Sequence, residues 1–195
     1  MSIDDTVTVG IISHDNRHRY GLLKRAMDSV MAQTYVPDTI IVRNDTERLG
    51  AGHNRQYLLD QVTTKWLAWL DSDDEWDKEH LEKVMTVATS ASDIVYVYPW
   101  MHGHDPLGHF GIPFDPCRPH HTTMGILERV DLAQEIGFPP SEENSSFSNE
   151  DWAHITGMAE LCCQRGLRMV HLAERTWTYH TGANTSGLPG HGDAA

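Results

Sequence analysis

Short apolar runs alternate with longer amphipathic segments through the first half of the chain. The short runs are rich in β-branched residues and are typical of buried strands, whereas the longer segments repeat apolar residues at helical spacing. Strands are predicted at residues 6–13, 39–42, 66–70 and 93–98, and helices at 20–33, 54–61 and 78–88. On the first helix, Lys24, Arg25 and Asp28 are expected to face solvent. Because parallel strands need crossover connections, this order predicts an α/β domain with a mostly parallel central sheet and helices on both faces.

The second half of the chain has a weaker pattern. Residues 99–121 hold several prolines, glycines and histidines without a period, which predicts a long surface loop. Further elements are predicted as a strand at 122–127, a helix at 130–136, a polar loop at 139–149, a helix from Trp152 that stops at Gly166, and a strand at 167–172. The glycine-rich segment 182–195 is predicted to be a flexible tail. We therefore expect one domain, residues 1–181, followed by this tail.

The length and charge of the chain limit its function. A chain of 195 residues normally forms one domain with a substantial core. The formal net charge of −13 and the isoelectric point near 5.3 argue against general binding to DNA or RNA, which depends on neutralising phosphates with Lys and Arg. A phosphate-containing ligand therefore has to be held locally, and a metal ion is the expected means.

Signals for a membrane or a secretory location are missing from the sequence. No apolar run approaches the length that spans a bilayer, and the acidic residues 1–5 lack the features of a signal peptide, so a cytoplasmic location is expected. Cys117, Cys162 and Cys163 have no metal-type spacing and are expected to be reduced thiols. Histidines crowd residues 102–121, and a zinc cluster stays open there, although their irregular spacing favours a polar loop.

The most informative segment is the apolar run 66–70, which ends in the carboxylates Asp71, Asp73 and Asp74. Open α/β sheets bind their ligands at the carboxyl ends of strands, where this acidic turn is predicted to lie. Side chains alternate along an extended chain, so Asp71 and Asp73 can point the same way. Paired carboxylates suit Mg²⁺ or Mn²⁺, the ions that accompany phosphates. The pattern therefore indicates a metal-dependent enzyme that acts on a phosphorylated substrate.

Two other interpretations of the acidic turn stay open. Acidic turns after strands are common, and most of them are only solvated. An EF-hand loop would place Asp71, Asp73, Glu75 and Glu82 at its first, third, fifth and twelfth positions. Trp76 occupies the position at which that loop needs glycine, so the EF-hand is the weaker alternative.

Several motifs follow one another in a characteristic order. They lie at residues 9–16, 26–35, 40–45, at Arg55, and at residues 70–74 and 149–152. This order is similar to that of the GT-A glycosyltransferases, particularly family 2, over roughly residues 6–180. The most specific pieces are the helix that ends in Ser29-x-x-x-Gln33-Thr34-Tyr35 and the strand that ends in Asp-x-Asp-Asp.

The resemblance implies a fold and a reaction. The fold is a single GT-A domain, which is Rossmann-like. Members of the family transfer a sugar from a nucleoside diphosphate sugar to an acceptor hydroxyl, here with a UDP-sugar as the favoured donor and with inversion expected. The acceptor is left open as a glycan, a protein or a small molecule. A bound Mn²⁺ or Mg²⁺ is also implied, as a Lewis acid that stabilises the leaving diphosphate.

The resemblance also assigns roles to residues. The nucleotide-binding positions are Ser13, His14, Asn16, Asn44, Asp45, Arg55 and Asp71. The metal-binding positions are Asp73, Asp71 and His180, with Asp74 either assisting or lying at the surface. Asp151 is expected to be the general base, and Glu150 is expected to orient the acceptor.

Each assignment has a structural alternative. Asn44 and Asp45 could cap a turn, and a lone histidine is more often structural or exposed than a metal ligand. Arg55 could approach the diphosphate, hold the acidic turn or form a surface ion pair. Glu150 and Asp151 also suit a helix N-terminus, where the helix dipole favours carboxylates.

The chain departs from the family at two motifs. Residues 44–47 read Asn-Asp-Thr-Glu where the family often has Asp-Asp-Gly-Ser, and residues 55–56 read Arg-Gln where the family commonly has Arg-Asn. The chain is also short for the family, so we expect little room for a dedicated acceptor module. Two rival functions stay open. A sugar-phosphate nucleotidyltransferase should show a glycine-rich phosphate loop after the first strand, and a noncatalytic nucleotide- or sugar-binding module would not need the acid pair at residues 150–151.

Overall fold

The computed structural model describes residues 5–14, 21–103, 108–115, 125–140 and 150–180, which form seven strands and five helices. The strands are β1 Val7–Ser13, β2 Thr39–Asn44, β3 Trp66–Asp71, β4 Glu75–Trp76, β5 Ile94–His102, β6 Leu127–Arg129 and β7 Arg168–Thr178. The helices are α1 Leu22–Met31, α2 Ala51–Leu59, α3 His80–Ala88, α4 Val130–Ile136 and α5 Glu150–Arg165. None of these helices is both long and apolar enough to cross a membrane.

The described strands form one sheet in the order β2-β1-β3-β6-β5-β7-β4. Parallel ladders join β1 to β2, β1 to β3 and β5 to β7. The short strands β4 and β6 pair antiparallel with their neighbours, so the five other strands all run in one direction. The predicted α/β class with a mostly parallel sheet is therefore confirmed, and the carboxyl ends of β1, β2 and β3 meet at one edge.

Helices cover both faces of the sheet, as predicted. Side chains of α1 and α3 pack on one face, and side chains of α2, α4 and α5 pack on the other. Along β3, Trp66, Ala68 and Leu70 point to the first face, while Leu67 and Trp69 point to the second. Burial on both faces is the reason that β3 reads as an uninterrupted apolar run.

Gly10, which lies in β1, lets α2 pack close to the sheet. A Cβ atom on Gly10 would come within 2.8 Å of Leu58 Cδ2 and within 3.2 Å of the Leu67 and Trp69 side chains. The interior is close-packed, so a larger residue there would push α2 outward. Because α2 carries Arg55, this contact helps to set the position of Arg55 relative to the end of β3.

Two strands, β5 and β7, continue at least four residues beyond their predicted ends, whereas β2 and β3 exceed theirs by two residues and one residue. β5 continues to His102, into the segment 99–121 that is predicted to be a loop. The ladder between β5 and β7 shifts register between Tyr98 and Trp100, and an irregularity of this kind tolerates Pro99, which has no N–H to donate. β7 continues to Thr178, beyond its predicted end at residue 172, because it follows its parallel partner β5. The pattern of a single strand does not show how far its neighbour extends.

The remaining differences concern boundaries. α2 begins at Ala51 rather than at residue 54, and β4, which pairs with β7, is too short to carry a sequence pattern. The strand predicted at 122–127 corresponds to β6 at Leu127–Arg129, with residues 116–124 outside the described residues. Residues 141–149 of the loop predicted at 139–149, and the tail predicted at 182–195, also lie outside them.

Candidate active site

Three aspartates converge at the carboxyl end of β3. Asp71 ends the strand, and Asp73 and Asp74 lie in the following turn, which the Asp74 N–H closes by donating to the Asp71 carbonyl oxygen at 3.1 Å. One carboxylate oxygen of each aspartate lies within 4.8 Å of the others. Asp73 and Asp74 are buried, so the surface alternative for Asp74 is wrong. The strand before this turn excludes the helix that an EF-hand needs.

This acidic triad, Asp71, Asp73 and Asp74, fits a divalent metal ion. Carboxylates held this close repel one another and lose hydration, and a bound cation would offset both costs. Their oxygens are hard ligands of the kind that Mg²⁺ and Mn²⁺ prefer. Among the described residues, the triad is the only group of three His, Cys, Asp or Glu side chains close enough to share an ion. The described histidines of residues 102–115 therefore form no zinc cluster.

Polar side chains at the end of α1 hold the segment that follows the triad. Gln33 Nε2 donates to the Asp77 carbonyl oxygen at 2.8 Å, and Gln33 Oε1 accepts the Leu81 N–H at 2.9 Å. Ser29 Oγ accepts the Trp76 N–H at 3.1 Å. These bonds fix the chain as it leaves the acidic turn, which gives the Ser29-x-x-x-Gln33 motif a physical role beside the acidic motif.

Arg25 also binds the acidic turn, so the prediction that it faces solvent is wrong. Its Nη2 donates to the carbonyl oxygen of Asp73, and its Nε lies 3.7 Å from Glu75 Oε2. Arg25, Ser29 and Gln33 recur at every fourth position and share one side of the helix. That spacing is the signal that could have identified Arg25 from the sequence.

Arg55 joins the end of β3 to the start of α5. Its Nη2 donates to Asp71 Oδ1 at 3.1 Å, and its Nη1 donates to Glu150 Oε1 at 2.5 Å. Arg55 is only 5% exposed, which excludes the surface ion pair. The geometry supports the alternative in which Arg55 holds the acidic turn by charge-assisted hydrogen bonds.

This buried ion pair shifts the pKa values of its members. Burial acts to lower the pKa of Arg55, but the carboxylates of Asp71 and Glu150 raise it above its usual value. Burial raises the pKa of Glu150 despite the opposing charge of Arg55, and the neighbouring Asp151 acts in the same direction as burial. Glu150 Oε2 has no hydrogen-bond partner within the described ranges. The Glu150 carboxylate therefore depends mainly on one guanidinium.

Glu150 and Asp151 form the first turn of α5. Asp151 Oδ1 accepts the Trp152 N–H at 2.8 Å, as a carboxylate at a helix N-terminus does. Glu150 is buried, whereas Asp151 is half-buried. The helix-terminus alternative therefore describes this contact of Asp151, whose carboxylate is partly exposed, and its role as general base stays a prediction.

The predicted nucleotide-binding residues of β1 and β2 lie at the same edge of the sheet as the triad. The ladder pairs Ser13 with Asn44, and β1 lies next to β3. Ser13 is buried, and its Oγ has no hydrogen-bond partner in the described part of the chain. His14 follows at the end of β1 and is half-buried, whereas Asn16 lies outside the described residues.

Asp45 closes the turn that precedes α2. Its carboxylate oxygens accept the Leu49 N–H at 2.9 Å and the Gly50 N–H at 3.0 Å. Burial acts to raise the pKa of Asp45, but these backbone hydrogen bonds keep it below its usual value. The hydrogen bonds are those of the turn-cap alternative, and base recognition by Asp45 stays a prediction.

His180 lies beside the triad. Its backbone N–H donates to Asp74 Oδ1 at 2.9 Å, and its ring Nε2 lies 3.2 Å from Glu75 Oε2. Glu75 therefore lies between the Arg25 guanidinium and the His180 imidazole. The sequence indicated Glu75 only as a position of the EF-hand alternative, because one more carboxylate in an acidic turn carries no separate signal. Metal ligation by His180 stays a prediction.

A cavity of about 650 Å³ lies away from the triad, at the amino ends of β3 and β5. Its basic side chains are already paired, Lys65 with Asp5 at 2.7 Å and Arg129 with Asp131. Open α/β sheets bind ligands at the carboxyl ends of their strands, so the triad is the better candidate for the active site.

Comparisons with known proteins agree with this architecture. Residues 32–114 match the family model described as glycosyl transferase family 2. The fold is similar to S. aureus TarS 1–349 in complex with UDP-GlcNAc, with a TM-score of 0.67 and 17% identity over 94% of this chain and 61% of that chain. It is also similar to the mannosyltransferase PcManGT from Pyrobaculum calidifontis in complex with GDP-Man and Mn²⁺, with a TM-score of 0.61 and 16% identity over 85% of this chain and 54% of that chain. A comparison with curated proteins gave no significant match.

These similarities concern the fold and one family segment. The chain spans 61% of the length of TarS 1–349 and 54% of that of PcManGT, and similarity at identities this low shows the fold alone. The fold similarity extends over nearly the whole chain, and the family match covers the strands that carry the acidic triad and Asn44. This protein has the GT-A fold and resembles glycosyltransferase family 2.

Proposed function

We propose that the protein is a metal-dependent glycosyltransferase that moves a sugar from a nucleoside diphosphate sugar, with a UDP-sugar favoured, to an acceptor hydroxyl. The observation that carries the proposal is the acidic triad, tied by Arg55 to the acid pair of α5. At one edge of the sheet, this arrangement combines carboxylates that suit a metal ion with carboxylates that suit proton transfer. The sugar nucleotides bound to TarS and PcManGT support the same class of donor.

The donor diphosphate is proposed to bind at the triad. Asp73 and Asp71 would hold Mn²⁺ or Mg²⁺, with Asp74 and His180 as further candidate ligands. When bound, the ion would supply positive charge that stabilises the departing diphosphate. The Mn²⁺ in the PcManGT complex and the carboxylate oxygens of the triad support this assignment.

The nucleoside is proposed to bind along the ends of β1 and β2. Ser13 and Asn44 are register partners there, and hydroxyl and amide groups of this kind offer both donors and acceptors to a base and a ribose. His14 and Asp45 flank these two residues along the chain. A uracil presents donors and acceptors that such groups can match, which is why UDP is favoured.

Asp151 is proposed as the general base. It would take the proton from the acceptor hydroxyl while that oxygen attacks the anomeric carbon on the side opposite the diphosphate, so the configuration inverts. The half-buried position of Asp151 and the engagement of Glu150 by Arg55 support this division of roles. Glu150 would then orient the acceptor and fix the start of α5.

A thermal-shift experiment tests the donor site. A ligand that binds only the native state raises the melting temperature. UDP, or failing it GDP or dTDP, is expected to raise the melting temperature only when Mn²⁺ is present, and Asp73→Ala is expected to abolish the response. Asp28→Ala, which removes an exposed aspartate on α1, is the matched control and should leave the response intact. A metal-independent shift that survives Asp73→Ala would overturn the metal assignment.

A turnover assay tests the reaction. Wild-type protein with Mn²⁺ should release nucleoside diphosphate from a sugar nucleotide, and Asp151→Asn should reduce the rate by about a hundredfold or more while nucleotide binding persists. Glu160→Gln, an exposed change on the same helix, serves as the control. Binding without release of diphosphate from any common donor would indicate a noncatalytic binding module instead.

A further inference from the structure

A second charged pair is buried against α5, outside the acidic triad. Glu128 of β6 and His154 of α5 are both fully buried, and Glu128 Oε2 lies 2.8 Å from His154 Nε2. Glu128 Oε1 accepts the Trp69 indole N–H at 2.7 Å. The other ring nitrogen of His154, Nδ1, lies 2.9 Å from the Gly137 carbonyl oxygen. Every polar side-chain atom of the pair therefore has a partner.

These contacts define the protonation state of the pair. A carbonyl oxygen can only accept, so His154 Nδ1 must carry a hydrogen and donate it to Gly137. An unprotonated Nε2 would direct its lone pair at the Glu128 carboxylate, whereas a protonated Nε2 donates to it. Burial acts to lower the pKa of His154, but the charge of Glu128 raises it above its usual value. With Glu128 ionised, the contacts are those of an imidazolium.

Other described groups near the pair do not replace this interaction. From α2, the Arg55 cation acts to lower the pKa of His154, against Glu128. From β5, Tyr96 lies near Glu128, and burial raises the pKa of Tyr96 so far that its hydroxyl stays neutral. From β3, Trp69 contributes only an uncharged donor. The positive charge of His154 therefore depends on Glu128.

The pair is linked to the helix that carries Arg55. Phe138 stacks on the His154 imidazole with ring centroids 4.0 Å apart, and the Phe138 N–H donates to Gln56 Oε1 at 2.6 Å. Gln56 follows Arg55 on α2, and Glu150 lies one helical turn before His154 on α5. Helices α2 and α5 are therefore joined at two levels, by the Arg55 ion pair and by the contacts of Phe138 with His154.

We propose that Glu128 and a protonated His154 are positioning residues for glycosyl transfer, which hold the first turn of α5 so that Glu150 meets Arg55 and Asp151 faces the acceptor. This inference rests on the proposed function. Loss of the proton would leave a carboxylate and an imidazole lone pair in contact inside the core, and α5 would have to move to relieve it.

The proposal has a definite pH dependence. A histidine whose pKa is raised by folding contributes stability that is complete below its usual pKa and is lost as the pH rises through the raised value. Stability and activity should therefore fall together on the alkaline side. In Glu128→Gln, the amide oxygen can accept the Trp69 N–H and the amide nitrogen can donate to a neutral His154 Nε2. That variant should lack the alkaline decline.

The first measurement is the protonation of His154, by nitrogen-15 NMR of histidine-labelled protein, with His154→Gln identifying the signal. Below the usual histidine pKa of 6.5, two protonated ring nitrogens are expected in the wild type and one in Glu128→Gln. A neutral His154 ring in the wild type would overturn the proposal. This result does not depend on transferase activity.

The second measurement compares kcat with nucleotide affinity. Small displacements of a reacting group cost about a hundredfold in rate. At a temperature at which the His154→Gln variant is still folded, its kcat should therefore be lower than that of the wild type by about tenfold to a hundredfold. The Kd for UDP with Mn²⁺ should change by less than about threefold, because the triad lies on other elements. A lower melting temperature with unchanged kcat would show that the pair is only structural. If no donor is turned over, the proposed function fails, and the NMR result and the pH dependence of unfolding still decide the protonation of His154.

Discussion

Replacing Arg55 by methionine is the sharpest test of how the site is held together. The guanidinium is 5% exposed and donates to Asp71 from one nitrogen and to Glu150 from the other. Methionine is unbranched like the arginine stem, but it is shorter and uncharged, so the variant leaves Glu150, which is 4% exposed, without its cation. The loss should appear as a lower free energy of unfolding.

The magnitude follows from the two hydrogen bonds. A hydrogen bond to a charged group contributes about 1.5–3 kcal/mol, and removing one partner of a buried ion pair costs about 3–5 kcal/mol. The Asp71 side chain is 17% exposed, so water can replace part of its bond to Arg55. We therefore expect a loss of about 3–4 kcal/mol near neutral pH, which lowers the melting temperature of a chain of this size by about 6–16 °C.

Urea unfolding at two pH values measures this loss. Burial already raises the pKa of Glu150 in the wild type. The contribution of Glu150 to the free energy of unfolding is therefore most favourable below its usual pKa of 4.5 and becomes less favourable as the pH rises through the raised value. Without Arg55, the pKa of Glu150 must rise further. The difference in unfolding free energy between Arg55→Met and the wild type should therefore be smaller near pH 5 than near pH 7.

Arg55→Lys is the matched control. Lysine keeps the charge but cannot donate from two nitrogens in the same geometry, so an intermediate loss is expected. A loss below about 1 kcal/mol for Arg55→Met, independent of pH, would mean that Arg55 behaves as an exposed ion pair and would refute the reasoning.

Two further predictions concern stability. Gly125→Ala should destabilise the protein by about 3 kcal/mol, because Gly125 has a φ of +67° and an added Cβ would lie 2.5 Å from the Trp177 indole nitrogen. Gly103→Ala is the control, with a similar φ but open space around the added Cβ, and should cost only about 1 kcal/mol. Equal losses of stability in the two variants would contradict the packing argument. Asp45→Ala should lower the free energy of unfolding, measured in urea near neutral pH, by about 1 kcal/mol. Because folding lowers the pKa of Asp45, the difference in stability between the variant and the wild type should vanish as the pH falls through the lowered value. A difference that persists in acid would refute the role of the carboxylate.

Local pattern was sufficient for the fold class and for the acidic turn at the centre of the candidate site. β3 packs on both faces, so its burial is visible as a continuous apolar run, and the change to carboxylates marks where the strand leaves the core. The amphipathic faces of α1 and α3 are visible for the same reason, since each helix records its own burial in its sequence. These features depend on neighbours within a few positions along the chain.

The partners of the site residues could not be predicted in this way. Arg55 and Glu150 are 95 positions apart, and no periodicity relates them. Glu128 and His154 read as ordinary polar residues of a strand and a helix until β6 and α5 meet. Arg25 is an intermediate case, since its spacing from Ser29 and Gln33 is regular but its target is a carbonyl oxygen of another element.

Burial along one element thus leaves a pattern in the amino-acid order, and this pattern sufficed to locate the central strands, their helices and the acidic turn. Ion pairs and hydrogen bonds between distant elements leave no such trace, because each partner alone is compatible with a solvated surface. Whether a given charge is exposed or buried, and which opposite charge it meets, depends on how the helices dock on the sheet. That docking placed Arg55 between Asp71 and Glu150 and buried Glu128 against His154.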